Sequence, residues 1–217
     1  MILESFARRL CGFLYLFILA TNAASVALGN KIDEVDAVAK FRTINDNPNK
    51  FRNSIVLALI SHGSIIALAG LLYFVFSPYD TSLAFIGTLF RLGEGLILVF
   101  DEITFLALLN VAKDYEVAGD AEKTTLSNSG LKILQTKNFR YIVGLNLLAI
   151  GTLAYCLLFL SSGSIPLLIG GLGFTASAFS VIGTSIKLAK PNFEILYKIG
   201  LPLMMLFEIT FGVWLLF

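Results

Sequence analysis

Apolar residues gather along the chain into long runs bounded by charged or turn residues. A helix needs about 20 mostly apolar residues to cross a hydrocarbon core of about 30 Å. Six runs reach that length: Leu10 to Leu28, Ser54 to Phe76, Ser82 to Leu109, Tyr141 to Leu160, Ile165 to Ile186 and Ile199 to Phe217. Backbone groups cannot stay unpaired in lipid, so a continuous helix is the economical reading of each run. Internal small residues, such as Gly170, Gly171 and Gly173, let such helices approach closely. The pattern predicts an all-α integral membrane bundle of six transmembrane helices, with residues 1–217 forming one transmembrane domain.

The connecting segments differ in basic residues. The odd-numbered loops hold Lys31, Lys40, Arg42, Lys50 and Arg52, then Lys113, Lys123, Lys132, Lys137 and Arg140, then Lys187, Lys190 and Lys198, whereas the other side holds Arg8 and Arg9. Under the positive-inside rule, thirteen against two places the odd loops in the cytoplasm and both termini outside. Arg8 and Arg9 alone would argue the reverse, but the bias over several short loops outweighs one pair. The first run also has the basic start and small residues, Thr21 to Ser25, of a signal peptide. Its apolar character continues through Val26 to Leu28, so it reads as a retained helix.

Two odd loops carry structure of their own. Asp33 and Asp36 are suited to a helix's first turn, and Val35, Val38 and Phe41 follow at near-helical spacing before Asn45 to Pro48 breaks the pattern. This predicts a short amphipathic helix, lying either on the inner membrane surface or against the protein as a connector. The third run is expected to continue past Asn110 towards Gly119. Asp120 to Lys137 reads as a charged helix or loop with one packed face from Leu126, Leu131, Ile133 and Leu134.

Composition agrees with the membrane reading. The chain is 57% apolar and 14% charged, against roughly a quarter charged in soluble domains. With a mean hydropathy of +0.83, a cytosolic globular domain and a disordered chain are both excluded. A net charge of +1 gives no reason to expect a nucleic-acid partner. Cys11 and Cys156 form neither a disulfide framework nor a metal pair of recognisable spacing, and no cofactor is implied.

Ionisable residues at bilayer depth cost a few kcal/mol even on lenient scales, so each is a functional candidate. At about 1.5 Å per residue, His62 and Glu208 fall about 12 and 14 Å from the inner edge, and Arg91 and Glu94 about 16 and 12 Å from it. Four groups on three helices therefore share a midplane layer. Asp101 and Glu102 are secondary candidates, expected to reach the inner interface and be solvated. At about 100° per residue, Arg91, Glu94, Asp101 and Glu102 occupy one third of the third helix's circumference, with Gly87 and Gly95 on that side.

Arg91 and Glu94 also stand at the spacing where side chains on one helix meet. Three readings of the layer stand open. In the first, Arg91 holds an anionic or carbonyl-bearing ligand while Glu94, Glu208 and His62 exchange protons, so that a small solute, lipid or proton is bound or translocated. In the second, a buried network merely specifies helix packing in a non-catalytic accessory or assembly subunit, partnered by another membrane protein or a second copy. In the third, His62, Glu94 and Glu208 hold a metal in an intramembrane enzyme. Against it, the chain has one histidine and no His-Glu-x-x-His motif, Arg91 opposes a cation, and no metal site is assigned. Ser61 and Ser64 neighbour His62 without a nucleophile-elbow pattern. The tetrapeptide EITF occurs at Glu102 to Phe105 and Glu208 to Phe211, at unequal depths, and reads as coincidence rather than as an inverted repeat.

Short motifs run the length of the chain: Gly12 to Leu16 (Gly-x-Leu-Tyr-Leu), FRLGEG from Phe90, GLNLLAIG from Gly144, a Ser-Gly-x-x-Pro turn from Ser162 to Pro166 followed by Gly170, and a closing Glu208 to Trp214 helix. Together they resemble the multi-pass bacterial and archaeal proteins catalogued as domain of unknown function 4386. The resemblance implies a helical protein of a prokaryotic inner or cytoplasmic membrane and brings no activity. By position, Arg91, Glu94 and Glu208 match that family's polar membrane positions. Two departures stand out: Asn146 where a histidine is common, which makes Asn146 a secondary candidate, and Leu167 where a basic residue commonly follows the turn proline.

Overall fold

The computed structural model describes residues 2–30, 36–190, 192 and 194–217. These form eight helices: α1 (Ile2–Ala27), α2 (Ala37–Asp46), α3 (Pro48–Phe76), α4 (Thr81–Phe105), α5 (Leu108–Val117), α6 (Asp120–Ser162), α7 (Leu167–Ala189) and α8 (Ile195–Leu216). Six helical spans, with α4 and α5 counted as one, are long and apolar enough to cross a membrane. The chain is a multi-pass membrane protein.

Local chemistry sets the helix ends. The Asp36 carboxylate accepts from the Val38 and Ala39 amides, Asn47 accepts from the Lys50 amide just ahead of Pro48, and Asp80 accepts from the Leu83 amide. Each supplies an acceptor to amides that have no partner inside the helix. At the end of α6, Gly163 takes a left-handed conformation with φ of 64°, and Pro166 then opens α7.

Each spanning helix packs on the next, and α1 packs on α8, so the six close into a ring. Both termini lie at one end of it. There the Arg8 Nη2 donates to the Phe217 carbonyl at 3.2 Å, and the Arg8 guanidinium sits 5.7 Å from the Trp214 ring centroid. Gly12 and Gly212 make this joint: a Cβ on Gly12 would stand 2.5 Å from the Gly212 carbonyl oxygen. Large apolar side chains such as Phe13, Phe85, Leu96 and Phe100 cover the outside of the ring, as a lipid-facing surface requires.

Several boundaries differ from the sequence reading. The first helix begins before Leu10 and includes Arg8 and Arg9. The third span breaks at Leu106 and Ala107 before α5 completes its approach to Gly119. Residues 120–137 are not a separate element: they are the first part of α6, continuous with the fourth span. The amphipathic α2 uses its apolar face, Ala37, Phe41 and Ile44, to pack against α5 and α6 in a second core with Phe105, Leu108 and Leu134. Asp33 and Val35 lie outside the described residues.

Candidate functional site

Helix α4 carries most of the site. Gly87, Arg91, Glu94, Gly95, Asp101 and Glu102 are all buried, so the stripe expected from helical phase is the face α4 turns into the ring. At about 1.5 Å per residue, Arg91 and Glu102 are some 16 Å apart along it, which separates two charge clusters.

The first cluster is Arg91, Glu94 and Glu208. Arg91 Nη1 lies 2.9 Å from Glu94 Oε2, one turn along the same helix, and 3.9 Å from Glu208 Oε1 on α8. The guanidinium is 2% exposed. Gly151 on α6 makes room for it, since a Cβ there would stand 3.2 Å from the Arg91 Cγ and 3.0 Å from the Gly87 carbonyl oxygen. These contacts are ionic but poorly aligned: Arg91 Nε and Nη1 and Glu94 Oε2 have no hydrogen-bond partner among the described residues. One cation faces two carboxylates, so the cluster carries a formal charge of about −1 when all are ionised, and zero once one proton is taken up. Tyr15 and Tyr155 lie within electrostatic reach of Arg91, and the Tyr155 hydroxyl shares a 2.7 Å hydrogen bond with Thr88.

The second cluster sits at the odd-loop end. Lys137 of α6 donates to Glu102 Oε1 at 2.6 Å and lies 3.9 Å from Asp101 Oδ2, while Arg140 lies 3.6 Å from Asp101 Oδ1. Asn30 Nδ2 donates to Glu102 Oε2 at 3.0 Å, and the Lys137 ammonium is 3.9 Å from the Phe105 ring centroid. Two cations balance two carboxylates. Asp101 and Glu102, expected to be solvated, are 3% and 4% exposed. The start of α6, for which the sequence allowed a helix or a loop, is what covers them.

His62 does not join Arg91. Its backbone has the expected depth, for its carbonyl oxygen lies 3.4 Å from the position of a Cβ on Gly95. Helical side chains lean towards their own N-terminus, and α3 starts at the odd-loop end, so the imidazole leans away from Arg91. It sits beside the Leu98 backbone, within electrostatic reach of Lys137. A count of residues along each helix misses this tilt. Asn146 belongs to neither cluster: its Nδ2 bridges to α7 at Thr184 Oγ1 (2.7 Å) and Ser185 Oγ (2.9 Å).

Two openings flank the Arg91 layer. At the terminal end a cleft of about 390 Å³ is lined by Glu4, Arg8, Phe76, Tyr79 and Trp214 among others. Below it, Phe76, Phe159, Phe211 and Phe207 pack ring against ring, with Phe76 and Phe159 at 4.7 Å and Tyr15 against Phe211 at 5.5 Å. At the odd-loop end a cleft of about 410 Å³ is lined by residues that include Ser25, Asn30, His62, Glu102 and Met205. Among the described residues no group of three His, Cys, Asp or Glu side chains is placed to hold a metal ion.

Sequence reasoning missed Lys137, Asn30, Tyr15 and Tyr155. A signal for Lys137 existed: Gly130, Leu134 and Lys137 share one buried helical face at spacings of four and three. Lys40 was likewise counted as a loop charge, yet it is buried and donates to the Gly29 carbonyl at 2.8 Å.

No curated protein and no solved structure matches the chain. A family model does, over residues 10–217, nearly the whole chain, with five of the six spans entire and most of the first. With its six-helix ring and the polar face of α4 at the centre, the chain belongs to the family described as Domain of unknown function (DUF4386).

Proposed function

We propose that this protein binds or translocates a small solute, lipid or proton through the polar interior of its helix ring, with Arg91, Glu94 and Glu208 as the working groups. One observation carries the reading: a buried cluster of one cation and two carboxylates leaves Arg91 Nε and Nη1 without hydrogen-bond partners among the described residues. Buried polar groups are normally satisfied, and a network kept only for packing is expected to be fully paired. The Arg91 donors left unfilled by hydrogen bonds suit a carbonyl-bearing ligand, or an anionic one once the surplus carboxylate has taken up a proton. The odd carboxylate suits a proton that comes and goes, with Glu208, the most exposed of the three, as its port. The terminal cleft supplies an approach route, and the aromatic stack serves as the barrier between it and the charges. On this reading the protein sits in a prokaryotic cytoplasmic membrane with the odd loops inside, which the excess of basic residues in those loops supports.

The test uses purified protein in liposomes holding a pH-sensitive dye, alongside mass analysis of molecules extracted with it. Wild type is expected to give dye-reported proton flux or a stoichiometric co-purified molecule, and Glu208→Gln to lose it with an unchanged melting temperature. Unchanged flux and cargo in a folded Glu208→Gln would reject the reading in favour of an accessory subunit.

A further inference from the structure

The joint between α1 and α8 is tight at the terminal end of the ring. There Gly12 meets Gly212, Tyr15 meets Phe211 and Arg8 meets Trp214 and Phe217. Towards the odd-loop end the same two helices instead line the cleft of about 410 Å³, α1 through Leu19, Ala23 and Val26, α8 through Met205. Val26 and Met205 are 44% and 53% exposed, so the apolar walls reach the outer, lipid-facing surface.

The deeper part is polar. Asn30 and His62 are 5% and 4% exposed and both line the cleft. The Asn30 amide is oriented by its neighbours: Nδ2 donates to the Glu102 carboxylate at 3.0 Å and to Ser25 Oγ at 3.2 Å. Its Oδ1 is therefore an acceptor, and among the described residues it has no donor; His62 Nδ1 also has no partner among them. A buried acceptor without a donor is a specific demand on whatever occupies the space.

We propose that this cleft is a lateral binding site for an uncharged amphiphile with a hydroxyl-bearing headgroup, entering from the bilayer between α1 and α8. The neighbouring charges balance, Lys137 and Arg140 against Asp101 and Glu102, so the site offers an incoming ion no net charge. A hydroxyl donates to Asn30 Oδ1, and a second hydroxyl meets His62 Nδ1 as either donor or acceptor. The chain attached to them lies along Leu19, Ala23, Val26 and Met205. This site is separate from the Arg91 cluster and does not depend on transport there.

The test is a thermal-melt titration of the protein in an amine-oxide detergent, whose headgroup has no donor, with a 1-monoacylglycerol as the probe. A saturable rise in melting temperature is expected, with an apparent Kd at least about threefold lower than for the methyl ester of the same acyl chain, which lacks donors. Ala23→Trp, at an exposed wall position, is expected to abolish the rise without altering the unliganded melt, and Asn30→Leu to weaken binding about threefold or more. Glu208→Gln is expected to leave the Kd unchanged. Equal affinity for the ester, an unaltered rise in Ala23→Trp, or equal stabilisation by free glycerol at the same concentration would overturn the proposal. So would loss of binding in Glu208→Gln.

Discussion

The two charge clusters on α4 use the same kinds of side chain on the same helix face, yet they are built to opposite specifications. Around Glu102 the charges balance, Lys137 and Asn30 each take one carboxylate oxygen, and an aromatic ring faces the ammonium. Around Arg91 one cation serves two carboxylates, with contacts of 2.9 and 3.9 Å and nitrogen atoms left over. Removing one partner of a paired, buried charge leaves the other uncompensated, whereas removing the surplus charge from an unbalanced set relieves it. The first arrangement is a lock between α4 and α6. The second, on the proposed function, is a site with two charge states.

The contrast is easiest to break at its strongest point. Lys137→Met is expected to lower unfolding stability in micelles by about 3–5 kcal/mol, because Glu102 stays buried while its cation is gone and Asp101 keeps only Arg140. Adding Glu102→Gln to it is expected to recover more than half of that loss; strictly additive costs would show that the lock does not exist. Next in size, Gly151→Ala is expected to cost about 1–3 kcal/mol, since its Cβ meets a carbonyl oxygen of α4 at 3.0 Å and the Arg91 side chain at 3.2 Å. Its measured consequence is a lower melting temperature.

Glu208→Gln sharpens the comparison from the other side. Arg91 keeps Glu94 at 2.9 Å, and the cluster becomes a neutral pair, so the expected change in stability is within about 1 kcal/mol. A loss as large as that of Lys137→Met would make the two clusters alike. The smallest effect belongs to the surface pairs Glu194–Lys198 and Glu194–Lys187, at 2.7 and 3.3 Å. The hydrogen bond from Lys198, then that from Lys187, holds the Glu194 carboxyl below its usual value of 4.5. A depressed carboxylate contributes stability above the unfolded value and loses it as pH falls through the folded one. Wild type is therefore expected to melt slightly higher than Glu194→Gln above pH 4.5, and the difference to fade as pH falls below 4.5 and in high salt.

Much of the architecture was legible along the chain. The apolar runs located all six spans, and Asn47 with Pro48 marked the break between α2 and α3. The phase of Arg91, Glu94, Asp101 and Glu102 identified the face α4 buries. Spacing along one helix is a local property, and lipid leaves the backbone only one way to satisfy itself.

Which partners those side chains meet was not legible in the same way. Lys137 and Lys40 counted as loop charges, and Asp101 and Glu102 as solvated ones, because a charge at the edge of a span reaches water unless another element covers it. Here α2, α5 and the long start of α6 supply that cover. Periodicity placed His62 at the right height, but the opposing tilt of side chains on antiparallel helices sent it towards Glu102 rather than Arg91. Local sequence thus settles what is helical, what is apolar and which face is polar. Closure of the ring, with α1 and α8 tight at one end and flanking a cleft towards the other, settles which charges pair, which are left over and where the cleft opens.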